Sequence, residues 1–188
     1  ASERYVSRAG LKLAGAAKTF NLNFRGKTVL DVGSSTGGFT DFALQHGAKK
    51  VYAVDVGTDQ LHPSLRGNKR IELYEKTDIR DFVPSEILDI VVIDVSFISL
   101  RQILPHVAKI VDKNTTIAAM VKPQFEAQRQ QLTRGGVVKN DGVRRAILRE
   151  FEQWARANFI IIDKADSEVK GAHGNLERFY ILRKAGSC

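Results

Sequence analysis

The chain has 188 residues, 43% hydrophobic and 27% charged, with a formal net charge of +8 and a pI near 9.7. That length and balance suit one soluble domain with a sizeable core, and the basic excess fits a polyanionic partner. A single cysteine, Cys188, excludes an internal disulfide framework and a cysteine-based metal site. No stretch reaches the roughly 18 apolar residues of a membrane span, and the N-terminus lacks the apolar core of a secretory signal. A cytoplasmic protein with no membrane partner is the expectation.

The first helical pattern is SRAGLKLAGAAKTF, residues 7–20, with Ser7 as its expected N-cap. A strand over 27–32 feeds a glycine-rich turn, and a helix follows over 38–46. Strands are predicted at 49–54, 70–74 and 87–93. A helix comes next at 100–111, with Pro105 kinking it or lying in its first turn, and then a strand at 115–121. Segment 123–140, closed by Gly135 and Gly136, is long for a compact domain; such loops serve as lids or substrate-binding elements, or stay disordered. A helix over 141–158 opens on Asp141 as its cap, and strands at 159–165 and 178–183 complete the order. Runs such as LDIVVID and FIIID are continuously apolar, as strands covered on both faces require. The alternation implies a doubly wound, Rossmann-like α/β sheet. The last two strands lack a helix-length connection, so an antiparallel hairpin at one edge is expected.

Charged residues gather at the predicted strand ends: Asp31, Asp55, Asp94 and Lys122, with Asp78 just past the third strand. Open α/β sheets bind ligands beyond the carboxyl ends of their strands. Crowding charge onto that edge is costly unless something binds there. The loop DVGSSTGGFTD, residues 31–41, departs from the dinucleotide fingerprint G-x-G-x-x-G. Ser35 replaces a glycine that only a phosphate-hugging turn demands, while Gly33, Gly37 and Gly38 would let the backbone approach a ligand. Asp55 lies about 20 residues further on, where an acid accepts hydrogen bonds from ribose hydroxyls. Asp31 would repel a pyrophosphate but suits an ammonium or sulfonium. S-adenosylmethionine carries both groups and no phosphate, so it fits better than NAD. The expected cofactor contacts are Asp31, Gly33, Ser34, Ser35, Gly37, Gly38, Phe39, Asp55 and Asp78.

Six blocks in order, YVSRAGLKL, DVGSSTGGFTD, DVSFISL, VKPQFE, GGVV and GAHGNLERF, span Tyr5 to about Leu182. Together they resemble the TlyA, or haemolysin A, family within the RrmJ/FtsJ-like methyltransferases. The resemblance implies a class I methyltransferase fold, a seven-stranded, mostly parallel sheet with an antiparallel last strand. It implies S-adenosylmethionine-dependent methylation of a ribose 2′-hydroxyl, on cytidine, with ribosomal RNA or ribosomal subunits as partner and no metal. A catalytic Lys–Asp–Lys–Glu tetrad would fall on Lys12, Asp94, Lys122 and Glu177. The same resemblance implies an S4-like RNA-binding domain N-terminal to a single methyltransferase domain spanning residues 1–188. Thr36 stands where the wider class often has proline and Phe39 where it often has tryptophan, which brings the loop closer to the haemolysin A branch.

Methyl transfer to a hydroxyl is an in-line displacement that depends on alignment and on removal of a proton from a weak acid. Lys122 is the expected base, oriented by Asp94 and Glu177, with Lys12 steadying the ribose or its oxyanion. Carboxylates beside a lysine favour its charged form, so desolvation by bound RNA has to offset them. Without the resemblance, Lys12 reads as a solvated helix face and Glu177 as a surface partner of Arg178 or Arg183. His62 and His173 have no metal-ligand partners at useful spacing. Basic runs at 66–70 and 133–150 are candidates for phosphate contacts. The competing readings are a small-molecule methyltransferase, a non-catalytic RNA-binding module and a membrane-active haemolysin. The last would need a bilayer-length segment, and none is present.

Overall fold

In the computed structural model, which describes residues 4–186, the chain begins with α1 (Arg8–Phe20), β1 (Thr28–Val32), α2 (Gly38–Gln45), β2 (Lys50–Val54) and β3 (Ile71–Tyr74). It continues through β4 (Ile90–Ile93), α3 (Leu104–Ile110), β5 (Thr116–Val121), the single turn α4 (Pro123–Glu126), α5 (Asp141–Ala155), β6 (Phe159–Asp166) and β7 (Arg178–Lys184). Cys188 lies outside the described residues. One seven-stranded sheet has the order β3-β2-β1-β4-β5-β7-β6. All pairs from β3 to β5 are parallel, and β7 runs antiparallel between β5 and β6. The doubly wound sheet and the terminal hairpin match the sequence expectation.

Side chains alternate across the sheet with the two-residue period of a strand. Val29, Val92, Ala118 and Met120 join a core with Leu13 of α1 and Phe42 of α2. Leu30, Val91, Ile93 and Ile117 join the opposite core with Leu104, Val107 and Phe151 of α3 and α5. Each of these larger apolar side chains, fully buried, stabilises the fold by roughly 1.5–3 kcal/mol. The same alternation carries Asp31 onto the face of Val29, toward α2. Strand order reverses between β1 and β4, the crevice where ligands bind in sheets of this type.

Several local expectations are corrected. FIIID is not covered on both faces: β6 is the edge strand, and Ile160 and Ile162 are about half exposed, at 52% and 53%. The cap of α5 is Asn140, whose side chain accepts from Val143 N at 2.9 Å; Asp141 is the first helical residue. Ser7 does occupy the N-cap of α1, but its side chain makes no capping bond. The predicted helix 100–111 resolves into a 3₁₀ turn, Leu100–Gln102, and α3, with Pro105 in the first turn of α3. Segment 123–140 is ordered through α4, a 3₁₀ turn at Arg129–Gln131 and a Leu132–Val138 bridge.

Candidate active site

Two adjoining cavities of about 380 and 450 Å³ open at the β1/β4 switch point and share Gly33, Ser35, Asp94 and Ser96. Asp55, Asp78 and Phe97 wall the first; Asp31, Ser34 and Lys122 wall the second. At Gly33, φ is +79° and a Cβ would lie 2.4 Å from the Asp94 carbonyl oxygen. Glycine is what allows the exits of β1 and β4 to lie this close.

Ser35 takes the left-handed conformation that glycine favours, with φ of 49°. Its N–H donates to Asp55 Oδ2 at 2.7 Å, and Gly57 N donates to Oδ1 at 2.7 Å. A serine in this glycine-like conformation is held there by Asp55. Each carboxylate oxygen keeps a further lone pair for a hydroxyl in the cavity.

The other two glycines are also tightly packed, with Gly37 at φ of +99° and Gly38 on the wall of the second cavity. A Cβ on Gly37 would lie 2.6 Å from Leu65 Cδ1, and one on Gly38 would lie 2.2 Å from Ser7 Oγ and 2.9 Å from Gly10 N. Their room is taken by Leu65 and by the start of α1. Phe39, 2% exposed, stacks on Phe179 at 6.3 Å and belongs mainly to the core, although one edge reaches the second cavity.

Asp31 is fully buried. Thr40 Oγ1 donates to its Oδ2 at 2.7 Å, while Oδ1 has no hydrogen-bond partner among the described residues. Burial, reinforced by the nearby Asp94 and Asp55 charges, pushes this carboxyl up to about 7. Ser34 Oγ is likewise buried without a partner among the described residues. Asp78 behaves in the opposite way. Its carboxylate accepts from Arg80 Nη2 at 2.7 Å and from Arg80 N at 2.9 Å, which holds its carboxyl down at about 2.

The four tetrad residues arrive from four separate segments: Lys12 from α1, Asp94 from the exit of β4, Lys122 from the exit of β5, and Glu177 just before β7. They form two ion pairs. Lys122 Nζ lies 2.6 Å from Asp94 Oδ1 and donates to Ser96 Oγ at 3.0 Å. Lys12 Nζ donates to Glu177 Oε1 at 3.0 Å, and Gln124 Nε2 donates to Glu177 Oε2 at 3.0 Å. The expected contact of Glu177 with Lys122 is absent from the ion pairs among the described residues. Gly171 packs so closely on Glu177 that a Cβ there would lie 2.1 Å from Oε2. That packing, with Gln124, fixes the carboxylate toward Lys12. Neither bland reading survives: Lys12 is 12% exposed and Glu177 1%. Arg178 pairs instead with Asp166 at 2.9 Å.

Ser96 and Gln124 sit inside the blocks DVSFISL and VKPQFE, yet residue type alone gave them no role. Asp41, which closes the glycine loop, accepts from Val6 N at 2.8 Å and so docks the approach to α1 on α2. The basic run 133–150 is not one phosphate patch, because Arg144 is 7% exposed and points inward. It donates to the Leu176 carbonyl at 3.0 Å and to Asp166, anchoring the backbone beside Glu177. Arg70, although exposed, donates to the Leu44 and Ala48 carbonyls. His62 accepts from Ser64 N at 3.1 Å and caps a 3₁₀ turn. His173 has φ of 58° in the turn before β7.

Residues 5–185 match the sequence profile of the FtsJ-like methyltransferases. The Bacillus subtilis protein YqxC is 42% identical over 93% of this chain, and the chain spans 64% of that relative's length. The 23S rRNA (cytidine-2′-O)-methyltransferase TlyA of Campylobacter jejuni is 41% identical over 97% of this chain and 72% of its own length. A solved structure of a hemolysin-named protein from Streptococcus thermophilus superposes with a TM-score of 0.93 at 42% identity, over 100% of this chain and 70% of that one. Among the described residues no helix is long and apolar enough to cross a membrane. Sequence profile and relatives agree, and the sheet is compatible: the chain belongs to the FtsJ-like methyltransferase family.

Proposed function

We propose that this chain transfers a methyl group from S-adenosylmethionine to a ribose 2′-hydroxyl of ribosomal RNA, on cytidine as the names of its relatives read. The carrying observation is the convergence of Lys12, Asp94, Lys122 and Glu177 as two ion pairs at one strand edge, beside a cavity holding an orphaned carboxylate oxygen. Asp31 Oδ1 is the test of fit. A buried acceptor with no partner among the described residues matches an ammonium donor, and Asp55 is placed for ribose hydroxyls. When bound, the cofactor supplies an electrophilic methyl on a sulfonium.

Lys122, in its neutral form, accepts the proton of the 2′-hydroxyl. Asp94 and Ser96 aim its nitrogen and stabilise the ammonium that results. Lys12, held by Glu177 and Gln124, offers its ammonium to the oxygen as negative charge develops there. RNA as substrate is supported by Arg8 and Lys170, which have no carboxylate partner among the described residues; Arg8 lines the second cavity. It is supported further by Phe97, 89% exposed on the wall of the first cavity and packed on Phe125 at 5.0 Å, a flat surface for a nucleobase.

Incubating the full-length protein with radiolabelled S-adenosylmethionine and ribosomal subunits tests the reading. Label is expected in ribosomal RNA with wild type and to be lost with Asp94→Ala. Absence of RNA label with wild type would overturn it.

A further inference from the structure

The tetrad leaves one buried acid of the same strand-exit loops unused. Glu126, at the end of α4, has a side chain only 2% exposed. Ser99 Oγ donates to its Oε2 at 2.5 Å and Leu100 N donates to its Oε1 at 2.8 Å. The Ser99 hydroxyl also accepts from Arg101 N at 3.1 Å, so one tie closes the 3₁₀ turn beyond β4 as well. Arg101 Nε stands 4.0 Å away, too far for a hydrogen bond.

Burying a carboxylate costs several kcal/mol unless hydrogen bonds satisfy it. Both bonds that satisfy Glu126 come from a single loop, the one leaving β4. That loop carries Asp94 and Ser96, and it holds Phe97 at φ of 64°, a conformation costly for an aromatic residue unless its surroundings enforce it. The loop leaving β5 carries Lys122, the N-cap of α4, with Glu126 four residues on. The two exits are therefore cross-linked at three levels: Lys122 to Asp94 and Ser96, Phe125 to Phe97, and Glu126 to Ser99 and Leu100.

We propose that Glu126 is a positioning residue, whose tie to Ser99 and Leu100 sets the approach of Lys122 to Asp94 and Ser96. Its effect on rate rests on the methyl-transfer reading; its effect on the loop does not. Displacing a base by about 1 Å can cost on the order of a hundredfold in rate.

Three measurements on Glu126→Ala, Glu126→Gln and Ser99→Ala test this. Competitive acetylation in the absence of cofactor and RNA reads the reactivity of Lys122. Amide hydrogen exchange reads residues 96–101. Methyl-transfer kinetics separate kcat from cofactor affinity. Glu126→Ala should accelerate Lys122 acetylation and loop exchange several-fold and lower kcat roughly tenfold or more, with cofactor Kd within about twofold. Glu126→Gln keeps the acceptor for Leu100, and Ser99 can reverse its role to accept from the amide, so it should lie much closer to wild type than the alanine does. Ser99→Ala should be intermediate and non-additive with Glu126→Ala, and it carries the comparison if the alanine variant does not fold. A folded Glu126→Ala with unchanged acetylation and exchange would overturn the proposal. So would an unchanged kcat in an active enzyme, or a Glu126→Gln as impaired as the alanine. If wild type methylates no RNA, the functional reading fails while acetylation and exchange still decide the role of Glu126 in the loop.

Discussion

Lys12 and Glu177 stand 165 residues apart in the chain and 3.0 Å apart in the fold. Because Glu177 is 1% exposed, removing Lys12 leaves a buried carboxylate with only Gln124 to satisfy it. Breaking such a pair costs about 3–5 kcal/mol, whereas removing both charges is often nearly neutral. Lys12→Met should therefore be clearly less stable than Lys12→Met combined with Glu177→Gln, both measured by urea denaturation. Additive losses would mean that the two side chains are not coupled. Neither variant should methylate RNA.

Lys122 can serve by taking up a proton or by its charge alone, and arginine separates the two. Arginine keeps the charge and the donors but does not deprotonate. Lys122→Arg is expected to lose most of the 10²–10⁴-fold, by order of magnitude, that a positioned base contributes. It should still bind S-adenosylmethionine, as read by calorimetry. A rate within tenfold of wild type, by the same scale, would instead assign Lys122 a purely electrostatic role.

The fold was legible because its signals are repeated. Continuous apolar runs such as 90–93 mark buried parallel strands, and their alternation with helical periods leaves few topologies. The edge strand misled, because FIIID has the same composition as a buried strand and differs only in what lies beside it. In the site, strand-end acids and bases were visible one by one, but their pairing was not. That Glu177 turns to Lys12 depends on Gly171 and Gln124, and neither advertises the contact by type. The glycine loop shows the same limit. Gly38 reads as room for a ligand, but its close packing on Ser7 and Gly10 is invisible in the sequence.

Asp31 gives a pH signature. Its carboxyl is raised from 3.8 to about 7, so the folded chain binds this proton more tightly than the unfolded chain does. The associated stability is full below about pH 4 and is lost as pH rises toward 7. Unliganded Asp31→Asn should therefore melt above wild type at about pH 8, with the gap closing toward pH 4. A ligand ammonium favours the carboxylate, so affinity for S-adenosylmethionine should rise between about pH 5 and 7 in wild type and stay flat in Asp31→Asn. Superimposable melts at both extremes would show that Asp31 titrates normally.

Gly38→Ala would force a methyl to within 2.2 Å of Ser7 Oγ and 2.9 Å of Gly10 N. The backbone nitrogen cannot rotate away, so α1 has to shift on α2. A loss of about 1–3 kcal/mol is expected, the range for overpacking. Since α1 carries Lys12, methyl transfer should fall along with stability, whereas Gly186→Ala, with no positive φ and no atom within 4 Å of the added Cβ, serves as the comparison for a glycine replaced without a clash. Equal behaviour of the two variants would remove helix packing as the cause.

The reversed direction of β7 has a consequence for when the site can exist. A strand antiparallel to its neighbours begins at the edge where they end, so its first residues bring Glu177 to the exit of β5. Had β7 run parallel, its entry would lie a strand length away, roughly 20 Å for seven residues. During synthesis Lys12 is made 165 residues before Glu177. A growing chain can complete β1 to β5 and the cofactor crevice, but the second ion pair must wait for the hairpin to slot in. Under the proposed function, a chain halted before residue 177 would lack the Lys12–Glu177 pair, so the hairpin is the last element the site waits for.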